Sequence, residues 1–456
     1  MIPRIRRNLR IAIAIGGWFL AAGACELAGG EPATRGEVER TWEEAFARMH
    51  RWERVRAAGA DPGTMDGKLM VGYQGWFGAA GDGSGLGWMH YGNLSAGADD
   101  CTVDAWPDMT GAGSAERYPT GFRNADGSAA CVFSSYNPAT VDRHFRWMRE
   151  HGIDGVFLQR FLADLRTPER YDFRTAVTDN VRDAANRNGR TWCVMYDLSG
   201  FDPERDGMEL FYKDWRVLTD RMAVTRDPSY QHWKGMPLVA LWGVGFPGRK
   251  YRTADVAGMV AFLKNDPVYG GNAVMLGVPF GWRGGVRDAV LSPELLELAA
   301  KADIVSPWSV GRYGTTEEFS SGLPDFQTAD IAWCREKHVG YLPVIFPGFS
   351  WRNLMKVRKK EPGRAIPRGD GTFFRTQGLR LIEAGAGMLY VAMFDEMDEG
   401  TAIFKISNAP PAGQGCTFIT NGEQVPDYFL RLSGELAGAL RAKRVPSGAV
   451  PARGKE

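Results

Sequence analysis

The sequence predicts an α/β fold, a (β/α)8 TIM barrel, on three observations. From Lys68 onward, eight apolar strand-like runs alternate with eight amphipathic helical patterns. The runs are continuous rather than alternating, as expected of parallel strands covered on both faces. Eight repeats is the count of the barrel; an open doubly wound sheet, the competing architecture, usually has fewer strands.

Residues 1–24 read as a signal peptide. Arg4, Arg6, Arg7 and Arg10 precede an apolar run from Ile11 to Ala24, and Ala22-Gly23-Ala24 offers a small-residue cut site. The run is short for a bilayer span. Cys25 directly after it resembles the lipid-acceptor cysteine of bacterial lipoproteins. An exported protein is expected, in the periplasm, lipid-anchored at the cell surface through Cys25, or extracellular. Residues 25–67 read as an N-terminal helical extension carrying "EVERTWEEAFARMHRWERVRAAG".

The barrel is expected over 68–445. Its first strand is "LMVGYQGWFG", followed by a long loop insertion from Gly78 to Pro138 that would wall the site. The other strands are "GVFLQRF", "TWCVMYDLSG", "PLVALWGVG", "AVMLGVPF", "DIVSPWSVGRYG", "GYLPVIFPGFSW" and "GMLYVAMFDE". Between and after them fall the helices "TVDRHFRWMREH", "FRTAVTDNVRDAANR", "MELFYKDWRVLTDRM", "TADVAGMVAFLKN", "SPELLELAAKA", "TADIAWCREK", "FFRTQGLRLIEAG" and "DYFLRLSGELAGAL". Ser292-Pro293 reads as an N-cap with proline at the first helical position. Residues 446–456 read as a disordered tail.

Composition excludes some functions. Taking the four leader arginines from the 55 basic residues leaves 51 against 54 acidic ones, so no basic field remains to hold a nucleic acid. The six histidines, at 50, 90, 144, 151, 232 and 338, form no H-E-x-x-H and no Cys/His quartet. No calcium loop, phosphate-binding loop or G-x-S-x-G elbow occurs, and "GVGFPG" matches a dinucleotide fingerprint by letter only. No metal or cofactor is expected, and a monomer is. Export permits disulfides. Cys101 and Cys131 share the insertion and are the expected pair; Cys193 and Cys334 read as buried small hydrophobes.

A barrel places its active site at the C-terminal ends of the strands. The residues there are Tyr73, Gln74 and Trp76; Gln159 and Arg160; Asp197; Trp242; Trp282; Trp308 and Arg312; Trp351; and Asp395. Gln159, Arg160 and Asp197 suit hydroxyl recognition, and the tryptophans suit sugar stacking. His90, in the insertion, joins them. The last strand runs into "FDEMDEGTAI", which sets Glu396 and Glu399 three residues apart. Glycosidic cleavage needs a proton donor and a second carboxylate. Two neighbouring acids split their pKa values, so one stays protonated near neutrality. Gly400 would allow the turn that aims both inward.

"FDEMDEGTAI" resembles the end of the last strand of glycoside hydrolase family 99, the endo-α-mannosidases and endo-α-mannanases, where the pattern is N-E-W-H-E-G-T-x-I. Asp395, Glu396, Glu399, Gly400, Thr401 and Ile403 keep its phase, and "VGYQGWFG" is similar to that family's first strand. The chain also resembles the bacterial group described as family 71/99-like. The resemblance implies a retaining hydrolase of α-linked polysaccharide or oligosaccharide. Glu396 would deprotonate the sugar 2-hydroxyl to give a 1,2-anhydro intermediate, and Glu399 would act as general acid and then base. Met397 and Asp398 replace the family's tryptophan and histidine, and the added charge of Asp398 would raise a neighbouring glutamate. Two alternatives stay open: a non-catalytic carbohydrate-binding protein on a hydrolase barrel, and a hydrolase of another linkage, such as α-1,3-glucan or pentosan.

Overall fold

The computed structural model describes residues 40–443 except 55, 58, 96–99 and 412–414. The signal peptide, Cys25 and the tail 446–456 lie outside the described residues.

The barrel strands are β1 (Leu69–Tyr73), β2 (Gly155–Phe161), β3 (Thr191–Asp197), β4 (Met236–Trp242), β5 (Ala273–Pro279), β6 (Ile304–Trp308), β7 (Gly340–Tyr341 and Val344–Ile345) and β8 (Leu389–Val391). All adjacent pairs are parallel. Pro343 lacks an N–H and interrupts β7. Its first half pairs with β6 and its second half with β8. The junction bonds both neighbours: Leu342 N–H donates to Val305 and the Pro343 carbonyl accepts from Tyr390. With the two halves counted as one strand, the sheet closes into an eight-stranded ring.

The barrel interior is packed. Tyr390 of β8 meets Phe157 of β2 at 5.5 Å between ring centroids, and its hydroxyl lies 3.9 Å from Met195 Sδ of β3. Neither strand neighbours β8, so these contacts cross the interior. Gly72 makes room for them: a Cβ there would sit 2.1 Å from the Tyr390 hydroxyl. Each of the eight helical patterns contains a helix: Pro138–Glu150, Pro168–Asn188, Glu209–Val217, Thr253–Asn265, Pro293–Lys301, Ala329–Glu336, Thr372–Glu383 and Tyr428–Ala442. The Ser292 hydroxyl accepts from Leu295 N–H and Pro293 opens its helix, as the sequence predicts. Among the described residues no helix is long and apolar enough to cross a membrane.

Two expectations change. Over the described part of 25–67 only Trp42–Ala47 is helical. The chain beyond it is held from outside; for instance, Arg48 pairs with Asp172 at 2.9 Å. The expected Cys101–Cys131 disulfide is not formed. Cys131 lies on the antiparallel hairpin Tyr118–Arg123/Ala129–Val132, while the Cys101 thiol faces that of Cys416. Membership of one insertion is proximity in sequence, and the hairpin carries Cys131 elsewhere.

The insertion docks on the segment after β8. Asp104 and Ala105 N–H both reach the Met397 carbonyl, and Ala105 bridges Ile419. The Asp104 carboxylate accepts from Ser350 Oγ and from the backbone N–H groups of Arg352 and Asn353.

Candidate active site

The turn after β8 puts four acids in sequence, and each has its own surroundings. Asp395 is fully buried; its two oxygens accept the backbone N–H groups of Gln74 at 2.7 Å and Gly75 at 2.9 Å. Burial raises this carboxyl to about 7 against those donors. It fastens the end of β8 to the end of β1, so the structure corrects its assignment as a substrate ligand. Glu396 is buried. Its Oε1 accepts from the Gln74 side-chain amide at 2.7 Å and its Oε2 from the Thr401 hydroxyl at 3.0 Å. Burial, and then Glu399 and Asp398, push it well above the ordinary carboxylate range, with Thr401 opposing. Glu399 is half-buried and stands at about 8. Burial and Asp398 raise it; the Trp351 indole and Arg358 oppose. Gly400 closes the turn at φ +64°, where a Cβ would press to 3.1 Å of Ser350 N.

Met397 is fully buried, so its side chain offers no sugar contact. Asp398 is answered from the insertion: His90 Nδ1 lies 3.5 Å from its Oδ2. The His90 ring stacks on Trp76 at 3.8 Å and 8°, and Trp76 in turn stacks on Phe161. The sequence places His90 among the site candidates, but its pairing with Asp398 is a long-range contact that local sequence does not show.

Side-chain alternation along each strand decides which strand-end residues reach the mouth. Gly72 faces the interior, so Gln74 does too. Phe157 and Met195 likewise carry Gln159 and Asp197 inward. Their sequence neighbours point out. The Tyr73 hydroxyl bonds His144 of the helix Pro138–Glu150 at 2.8 Å. Arg160 is fully buried and grips Asp214 of the helix Glu209–Val217 through two bonds of 2.7 Å. Tyr73 and Arg160, expected at the substrate, instead join barrel to helices. Two further expectations are corrected. Trp282 is buried edge-on against Trp333, and Arg312 is spent on Asp288, which also accepts Phe280 and Gly281 N–H.

Asp197 is raised to about 6 by burial, against the Ser199 hydroxyl and N–H and, more weakly, Arg249. Trp242 and Trp308 meet edge-to-face at 5.2 Å, with Arg249 over Trp242. Arg174 donates to the Gln74 carbonyl and pairs with Asp164. Burial alone would raise Asp164, but Arg174 and Arg170 outweigh it and hold it near 2. Arg174, Arg249 and Asp164 escaped the sequence reading because an α-helix, a loop and a 3-10 turn deliver them, not strand ends.

Several buried polar atoms of this region have no hydrogen-bond partner among the described residues: Gln74 Oε1, Gln159 Oε1, Trp76 Nε1, Trp242 Nε1, Arg249 Nε and Asp398 Oδ1. Buried polar atoms are normally satisfied. A ligand with many hydroxyls, each donor and acceptor, would satisfy this mixed set.

The endo-α-mannosidase of glycoside hydrolase family 99 from Bacteroides thetaiotaomicron superposes on this chain with a TM-score of 0.60 at 15% identity, covering 83% of this chain and 99% of that one. The fold is that of family 99. The same enzyme in complex with Bis-Tris propane gives a TM-score of 0.59 at 14% identity, over the same shares of the two chains. No protein-family model matches the sequence, and no curated protein does. At these identities the likeness speaks for the family 99 barrel; the roles of individual residues must come from the site itself.

Proposed function

We propose that this protein is a glycoside hydrolase that cleaves α-linked glycans, α-mannan-like ones first, with retention, through Glu396 and Glu399. One observation carries the reading: a single turn presents two mutually interacting glutamates, both raised, beside unpartnered polar atoms. Such a pair titrates as a unit and holds one proton over an extended range. The Gln74 amide and Thr401 hydroxyl both donate to Glu396 and favour charge there. Glu399, raised to about 8, keeps its proton at neutrality.

Glu399 protonates the departing glycosidic oxygen. Glu396 accepts the proton of the 2-hydroxyl, and O2 closes on the anomeric carbon to give the 1,2-anhydro sugar. Water then opens that ring from the opposite face, giving its proton to Glu399 while Glu396 returns its own to O2. Two inversions make net retention. The surrounding carboxylates, Asp197 and Asp398, favour positive charge developing at the anomeric carbon. Trp242, Trp308 and Trp351 supply apolar faces for sugar rings, and Gln159 and Asp197 supply hydroxyl partners. The basic, apolar and small-residue leader supports export to where polysaccharide is met, with Cys25 as a lipid anchor.

The test is a panel of α-glycans with product sizing and anomeric analysis by NMR. Turnover is expected on one α-linkage with retention, and Glu396→Gln or Glu399→Gln should cut it by at least about a hundredfold with the thermal midpoint kept. Glycan binding without turnover, indifferent to both substitutions, would make the protein a binding module on a hydrolase barrel.

A further inference from the structure

The insertion and the segment after β8 run side by side. Ala105 bridges Ile419 in parallel, and Ile419 N–H donates to the Asp104 carbonyl at 2.7 Å. The Asn353 side-chain amide fastens the two, donating to the Val103 carbonyl at 2.8 Å and the Thr417 carbonyl at 3.0 Å. Cys101 precedes that bridge by four residues on one segment and Cys416 by three on the other. The two thiols meet in a sulfur–sulfur hydrogen bond, and that contact, followed by burial, pushes the Cys101 thiol far up. Cys101 is fully buried and Cys416 half-buried.

We propose that Cys101 and Cys416 form a disulfide when the protein meets a low-molecular-weight disulfide, clamping the insertion to the segment behind the Glu396–Glu399 turn. Reaction starts at Cys416, the accessible member. Its thiolate attacks one sulfur of a small disulfide such as oxidised glutathione, releasing one small thiolate and leaving a mixed disulfide. Cys101 gives up its proton, attacks the Cys416 sulfur, and expels the second small thiolate. Two protein thiols are oxidised, one small disulfide is reduced to two thiols, and the two protein protons end on those thiols. The bond ties together positions more than 300 residues apart, where a crosslink restricts the unfolded chain most. It also secures the segment whose Asp104 and Ala105 hold the Met397 carbonyl, one residue from the Asp398 that meets His90.

The full chain is incubated with oxidised glutathione, unfolded in excess iodoacetamide, digested and mapped by mass spectrometry. The expected product joins the Cys101 and Cys416 peptides, about 2 Da below their reduced sum, with Cys131, Cys193 and Cys334 alkylated. The thermal midpoint of the oxidised protein should exceed that of the dithiothreitol-treated protein by roughly 2–5 °C. Cys416→Ser should abolish both effects and Cys131→Ser neither. Alkylation of Cys101 and Cys416 after oxidation, a lone glutathione adduct on Cys416, or a Cys101–Cys131 link overturns the proposal. The mapping uses the unaltered chain, so it stands whether or not a variant folds, and it is independent of glycan hydrolysis.

Discussion

The Gln74 side-chain amide donates to Glu396 at 2.7 Å, so the end of β1 holds the carboxylate that follows β8. This bond favours the charged form of a glutamate that burial and neighbouring acids drive toward the neutral one. Gln74→Met should therefore raise Glu396 further and move the acid limb of the pH–rate profile to higher pH. A hydrogen bond to a charged group is worth about 1.5–3 kcal/mol, so kcat/KM should fall by about tenfold to a hundredfold. An unshifted acid limb would separate Glu396 from the base role.

Glu399 at about 8 keeps its proton through neutrality, and Asp398 is the foremost charge holding it there. Activity should decline as pH rises through about 8. Asp398→Asn removes that charge, lowers Glu399, and should pull the alkaline limb to lower pH. The measurement is kcat/KM against pH for both proteins.

The same acids make stability depend on pH. Asp395 and Glu399 have folded-state values of about 7 and about 8, above their unfolded values. The folded state thus binds more protons, and the stability this brings is lost as pH rises through those values. His144 is buried and depressed to about 3, so its contribution is lost only as pH falls below its unfolded value, near 6.5. The thermal midpoint should fall between pH 6.5 and 8, and Glu399→Gln should flatten that slope.

Arg160 and Gln159 are adjacent but face opposite ways. Arg160→Met strands Asp214 in the core and should cost about 3–5 kcal/mol, read as a lower denaturation midpoint. Gln159→Leu removes an atom, Oε1, that has no hydrogen-bond partner among the described residues. It should leave the midpoint nearly unchanged and raise KM for the glycan.

Met397→Leu conserves volume at a buried site. It should cost less than about 1.5 kcal/mol and leave kcat/KM within about twofold, because the side chain lies away from substrate. A large loss of activity with stability intact would put this position back at the sugar.

The sequence by itself determined the barrel, its eight strands and helices, and the placing of Glu396 and Glu399 after the last strand. Long apolar runs and helix caps are local signals, and chain order alone assigns the strand ends to one face. Tertiary structure decided which residue of each adjacent pair reaches the mouth. The physical reason is that parallel strands buried on both faces are apolar at every position. The run that reveals such a strand therefore erases the alternation that would tell Gln74 from Tyr73, or Gln159 from Arg160. Pairings across the chain, His90 with Asp398 and Cys101 with Cys416, likewise exist only once the insertion folds back onto the segment after β8.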